Sequence, residues 1–292
     1  MKKRKKRLGD RYDGRKVRSL PPMAYLVPYI MTNRADSQNY FSFRIDIDAI
    51  EKYIREKRNE GLEEFGFMHV FVASYVRMVS QRPAINRFIA GHKIYQSDRM
   101  TLSMMVKKSM DLNAQETAIK VHFEPEDSIY DVHRRMNEAV TEAKKEGDST
   151  ALDSVARALF KLPSPILAGV VGLMRFLDYF GIMPKIIHKA SPFHATFFVS
   201  NLGSLGIAPI YHHVYNFGHI PVFLVFGAKE TKYEMNKDGE VIRRRYIDCK
   251  VVTDERITDG HYFATAFKLL QRILKNPAQL DQAPETVAED IE

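Results

Sequence analysis

The segment Thr253-Asp-Glu-Arg-Ile-Thr-Asp-Gly260 separates two stretches of different periodicity. Before it, Glu240 to Thr253 reads as a strand, paired with Thr231 to Met235 across the hairpin signal Asn236-Lys-Asp-Gly239. After it, Phe263, Phe267, Leu270 and Leu274 recur at helical spacing until Asn276-Pro277 stops the helix. The polar segment is therefore a strand-to-helix turn. Upstream, Val222 to Gly227 is almost continuously apolar, as expected of a strand buried on both faces, and Ala195 to Val199 reads as another strand.

The N-terminal half alternates helix and strand signals. Phe41-Ser-Phe-Arg-Ile-Asp-Ile alternates as a strand, and Asp48 starts a helix to about Arg58. Residues 67–82 form an apolar helix that Arg82-Pro83 ends. Ile89 to Tyr95, Arg99 to Lys107 and Thr117 to Phe123 read as strands. A helix carrying Ile129, Val132, Met136, Val140 and Ala143 follows.

At 292 residues the chain suits one large core with tails. Hydrophobic residues make up 45% and charged ones 27%, which is ordinary for a globular protein. The one cysteine, Cys249, excludes an internal disulfide and fits a reducing, cytoplasmic setting. The ten histidines show no zinc-ligand spacing, so no metal is expected.

The net charge of +8 is concentrated at the N-terminus, where residues 2–7 read Lys-Lys-Arg-Lys-Lys-Arg. No apolar run follows, which argues against a secretion signal. The expected organisation is a basic tail over 1–22, a domain over 23–277 with an apolar helical insertion at about 151–190, and an acidic, disordered tail over 278–292. In the insertion, the apolar run Ser164 to Met174 is too short to span a bilayer. The segment from Ser164 to Met183 is expected to be helical, packing its apolar side on the domain and roofing an acyl or lipid-like pocket, with Arg175 and Asp178 free to pair on one face. Lipid contact without a span stays open. The basic run reads as a solvated tail, and Arg243-Arg-Arg245 lacks the interleaved aromatics of a nucleic-acid surface, so no nucleic-acid partner is expected.

Two stretches carry a family resemblance. Thr253 to Gly260 resembles the Asp-His-Arg-x-x-Asp-Gly signature of dihydrolipoyl acyltransferase cores and the His-x-x-x-Asp-Gly of chloramphenicol acetyltransferase. Phe197-Phe-Val-Ser-Asn-Leu-Gly203 resembles the apolar strand ending in Ser-Asn-x-Gly of the former. Phe43-Arg-Ile-Asp-Ile-Asp, Arg82-Pro-Ala-Ile-Asn86 and Val222 to Gly227 fall in the same order, so the similarity spans roughly residues 23–277. It is to the catalytic domain, without lipoyl or peripheral-subunit-binding domains.

The resemblance implies a two-layer α/β sandwich with a mixed sheet, of the chloramphenicol acetyltransferase-like type. It also implies acyl transfer from coenzyme A or an acyl-CoA to a small-molecule or lipid-like acceptor, without a metal, in a homotrimer or higher assembly with sites between neighbours. Thioester acyl transfer needs a base for the acceptor proton and a donor for the tetrahedral oxyanion. By position, Ser200 matches the donor and Asp259 the aspartate that orders the loop. Glu255 stands where the family has its catalytic histidine. Glu255 as an altered base, another base or substrate contact among His261, His212, His213 and Asn201, and a non-catalytic binding or scaffold protein are the alternatives. A basic-tailed membrane or nucleic-acid adaptor is a further one.

Overall fold

A computed structural model describes residues 5–107, 116–145 and 161–291. The hairpin around Asn236 to Gly239 supplies two adjoining strands of the main sheet. Its strands are Val222–Met235 (β8) and Val241–Asp254 (β9), fourteen residues each and antiparallel. The sequence suggested two strands within the first of these. They are one, bent by a bulge between Phe226 and Lys229.

Outward from this hairpin the sheet runs β2-β9-β8-β7-β5-β6, where β2 is Gln38–Asp46, β5 Met100–Lys107, β6 Glu116–Phe123 and β7 Phe197–Asn201. β7 is parallel to both β5 and β8, and the other pairings are antiparallel. The sheet is mixed, as expected. The helices α2 (Asp48–Asn59), α3 (Phe67–Gln81), α4 (Ile129–Lys145) and α7 (Gly260–Lys275) build the second layer. The main core lies between them and one sheet face, through Phe197, Val199, Leu224, Phe226, Cys249 and Val251. Period-two alternation turns Phe198, Phe223, Val225 and Val252 to the opposite face, where Val214 and Ile220 of the 207–221 segment cover them.

A second, three-stranded sheet joins β1 (Gly14–Lys16), β4 (Lys93–Ser97) and β3 (Arg87–Ala90). The single strand expected at Ile89 to Tyr95 is in fact a hairpin. Gly91 and His92 turn it with φ of 54° and 57°, the left-handed pair of a two-residue hairpin turn. A histidine in that position hid the turn from the sequence.

Three further expectations change. The apolar helix α5 (Ser164–Tyr179) buries only Asp178; Ile166, Leu173 and Phe176 are more than half exposed. Among the described residues nothing buries its apolar side. Asp178 turns inward to Arg11 rather than pairing with Arg175. The expected insertion also reaches residues 151–160, which lie outside the described residues. Of the two tails, residues 11–17 are built into the small sheet and its surroundings. The C-terminal segment is anchored by buried Leu280, by Ala288 N–H donating to the Ser80 carbonyl, and by a two-pronged Arg87–Asp290 ion pair. Sparse apolar periodicity concealed these anchors, because they rest on ion pairs and backbone bonds. Among the described residues, no helix is long and apolar enough to cross a membrane.

Candidate active site

The strand-to-helix turn is held from beneath by an acid between two bases. Asp254 is fully buried; Arg256 grips both of its oxygens at 2.8 and 2.7 Å, and Arg34 Nε lies 3.2 Å from Oδ2. The remaining guanidinium donors reach carbonyl oxygens of Met31, Tyr215, Gly218 and Ile89. Buried charges persist only when paired and hydrogen-bonded in this way. The turn is therefore tied to the 31–37 and 215–218 segments. Asp254 and Arg256 stand inside the signature, though their pairing was not foreseen, and Arg34 carried no local signal.

Glu255 follows directly. Its N–H donates to the Ser37 carbonyl, and its half-buried carboxylate accepts from Asn39 Nδ2 at 2.9 Å beside β2, the sheet edge. Asp259 is exposed and caps α7, accepting from Tyr262 N–H at 2.8 Å, so it fixes where the turn becomes helix. His261 is exposed on the first turn of α7.

Ser200 is half-buried near the end of β7, on the face away from the helices. No hydrogen bond within the described residues engages its hydroxyl. Asn201 Oδ1 accepts from Ser204 N–H at 3.2 Å and starts the turn Leu202–Leu205. Gly203 is required there, since a Cβ would come within 2.4 Å of the Gly227 carbonyl oxygen. The Gly203-Ser-Leu-Gly206 stretch is thus a close-packed turn.

Register places neighbours around Ser200. One row across the sheet reads Ser200, Val225, Lys250, Ser42; the next reads Phe198, Phe223, Val252, Tyr40. His212 stacks on Phe223 at 4.1 Å, and Lys250 sits over the Tyr211 ring at 4.6 Å. His212 is thereby one row from Ser200, while His213 beside it is exposed. Glu255 is not close. Val222 is opposite Thr253, three residues and two strands from Ser200. At about 4.8 Å per strand and 3.4 Å per residue the separation is roughly 14 Å, and Glu255 lies beyond. Within one chain, Ser200 and Glu255 do not meet.

A second polar centre was not anticipated. Arg11, Asp13, Asp178, His188, His194 and His219 converge beneath a cavity of about 930 Å³ lined also by Lys120, His122 and Thr196. These residues come from six separate places in the chain, so no spacing could reveal them. Burial opposes ionisation of Asp13 and Asp178. For Asp13 the neighbouring His188, His219 and Arg11 outweigh it, and for Asp178 His219 and His194 do, holding both carboxyls well below the usual range.

Burial pushes His69, packed between the helices, down to about 4, and His122, on the cavity wall, likewise to about 4. The unfolded chain binds protons at these histidines below about pH 6.5, and the folded chain does not until near pH 4. Stability is therefore full above pH 6.5 and lost as the pH falls toward 4. After allowance for partial solvent exposure, urea unfolding is expected to lose about 2–3 kcal/mol between pH 7 and pH 5. An unchanged midpoint would show that these histidines are solvated.

Comparison with known proteins places this geometry in context. A family model, 2-oxoacid dehydrogenases acyltransferase (catalytic domain), matches residues 189–281, which hold both Ser200 and the Glu255 turn. Sequence comparison with curated proteins gives no match. The structure is similar to a probable dihydrolipoamide acetyltransferase from Listeria monocytogenes 4b F2365, at 15% identity and TM-score 0.56, over 90% of this chain and 95% of that one. It is also similar to the dihydrolipoamide acetyltransferase of Azotobacter vinelandii, at 14% identity and TM-score 0.53, over 91% and 94%. A chloramphenicol acetyltransferase aligns at 10% identity and TM-score 0.51, over 87% and 94%. At such identities the fold is what is shared. The chain has the chloramphenicol acetyltransferase-like fold and resembles the 2-oxo acid dehydrogenase acyltransferase catalytic domain.

Proposed function

We propose that the protein transfers acyl groups between coenzyme A and a small acceptor, at sites completed between neighbouring copies of the chain. The observation that carries this reading is the placement of its two signature segments. Ser200 lies near the end of a central strand with its hydroxyl uncommitted among the described residues, and the Glu255 turn is rigidly held roughly 14 Å or more away beside the sheet edge. Each is half of a site. A Ser200 hydroxyl from one chain would steady the oxyanion, and Glu255 from the next would take the acceptor proton. Asp259 would keep the Glu255 turn in register through its cap on α7.

The catalytic mechanism of the Azotobacter acetyltransferase involves a serine, a histidine and an asparagine. The present chain has Glu255 at the histidine position, and a carboxylate is a weak base unless its surroundings favour the protonated form. Assembly would supply such surroundings by covering the half-buried carboxylate. A second reading is favoured by one contact, the stacking of His212 on Phe223, which sets an imidazole one row from Ser200 in the same chain. In that reading His212 is the base, and Glu255 is a binding residue.

Self-association is supported by the exposed apolar surface. Helix α1 (Pro22–Ile30) presents Met23, Leu26 and Ile30 to solvent, and Tyr29 connects through His92 to Tyr179 of α5. Contiguous apolar surface of this kind marks an interaction site. Light scattering at micromolar concentration is expected to give three times the chain mass of 33.7 kDa, or a multiple of that trimer. A monomer that persists at all concentrations would rule out the shared site.

A further inference from the structure

We propose that Asp13, His188 and His219 bind a divalent transition metal, with zinc the ion best matched to two imidazoles and a carboxylate. The three donors come from the segment before β1, from helix α6 (Lys185–Ala190) and from the residues just before β8. Asp13 Oδ2 lies 3.0 Å from His188 Nε2 and 3.4 Å from His219 Nδ1, and all three donor atoms fall within 4.8 Å of one another. Zinc bonds of about 2.0–2.1 Å arranged tetrahedrally put neighbouring donors about 3.3 Å apart. The two separations from Asp13, 3.0 and 3.4 Å, are already near that spacing. His188 Nε2 is buried without a hydrogen-bond partner despite the carboxylate 3.0 Å away. An atom placed between them would satisfy both.

The surroundings have the order expected of a second shell. Arg11 Nε donates to the other Asp13 oxygen at 2.9 Å, and its Nη2 reaches Oδ2 only at 3.3 Å, a longer bond that leaves Oδ2 a lone pair for the metal. His219 bonds through Nε2 to Asp178 Oδ1 at 3.0 Å, which fixes the ring so that Nδ1 faces Asp13. A carboxylate–histidine–metal sequence orients the ligand and raises its basicity. Lys120 is turned aside, its ammonium bound to the carbonyls of His188 and Ser191. The adjoining trio of Asp178, His194 and His219 Nε2 is not a second metal site. Arg11 Nη2 already sits 2.7 Å from Asp178 Oδ1 and 3.3 Å from His219 Nε2, filling it with a cation. Three protein donors beside an open cavity leave a fourth position for water or an anionic ligand, the pattern of a reactive rather than a closed site.

This inference is independent of the Ser200 and Glu255 reading, and its test uses no activity. The full chain, without a histidine tag, is stripped with chelator and titrated with zinc chloride by calorimetry and with cobalt chloride by visible absorption. The parent is expected to bind one ion per chain, to show the intense d–d bands of tetrahedral cobalt and to melt at a higher temperature with zinc. His188→Ala, at the cavity side, is expected to weaken binding by about 100-fold or more, and Asp178→Asn by about 10–100-fold. His122→Ala, a cavity residue outside the donor set, should bind as the parent does. A stripped parent that takes up no ion would overturn the proposal whatever the variants do. Equal affinity in parent and His188→Ala would do the same, and the cluster would then be a network of ion pairs only.

Discussion

Asp254→Ala is expected to destabilise the protein by about 3–5 kcal/mol, because it leaves two buried guanidinium groups without their shared counter-ion. Arg34 and Arg256 are each 5% exposed, and arginine cannot escape by losing its proton. For a domain of this size the loss corresponds to a melting temperature lower by about 10 °C. The cost should also be local. The same triad ties the Glu255 turn to the 31–37 and 215–218 segments, so coenzyme A binding should weaken in whatever fraction stays folded. Asp254→Asn keeps an acceptor and removes the charge, and should fall between parent and Asp254→Ala. A thermal scan showing Asp254→Ala within about 2 °C of the parent would mean that water already reaches the triad.

Ser200→Ala should slow transfer by about 10²–10³-fold with little effect on substrate binding, since an oxyanion donor acts mainly in the transition state. Glu255→Gln keeps shape and hydrogen bonding while removing proton affinity, and should cost about 10²–10⁴-fold if Glu255 is the base. The two changes allow a sharper test by mixing. In trimers assembled at random from equal amounts of the two variants, about one interface in four joins an intact Ser200 to an intact Glu255. Unfolding and refolding the mixture should therefore restore about a quarter of the parental rate, far above either variant alone. No recovery, together with loss of activity in His212→Asn, would transfer the base to His212 and the whole site to one chain. Glu255→His would test the family's own arrangement, and a gain from an inactive parent would identify a site disarmed by the glutamate.

Strand and helix types were legible because their periodicities are strong. The alternation of Phe198 and Val199 between faces, and the Phe263, Phe267, Leu270, Leu274 stripe of α7, follow directly from the sequence. The turn at Gly91-His92 was missed because left-handed backbone at a histidine has only a weak sequence signature. Helix α5 misled for a different reason. Apolar spacing implies a buried face, yet what α5 buries is Asp178, and its apolar residues are left for other contacts. At the candidate site, Ser200, Glu255 and Asp259 stand in short contiguous motifs, which is what made them candidates. The support of the Glu255 turn could not be read this way, since Arg34 is 220 positions from Asp254, nor could the second polar centre, where His219 is 206 from Asp13. Ion pairs and metal donors need only proximity in space, which leaves no period in the chain.

The central claim is that this fold transfers acyl groups from coenzyme A through Ser200. The most direct measurement follows free coenzyme A released from a panel of short- and long-chain acyl-CoA donors, with dihydrolipoamide and simple alcohols and amines as acceptors. The account predicts acceptor-dependent release by the parent with at least one pair, reduced by about 10²–10³-fold in Ser200→Ala. Parent protein that releases no coenzyme A with any pair and does not bind it in calorimetry, or Ser200→Ala turning over at the parental rate, would contradict it.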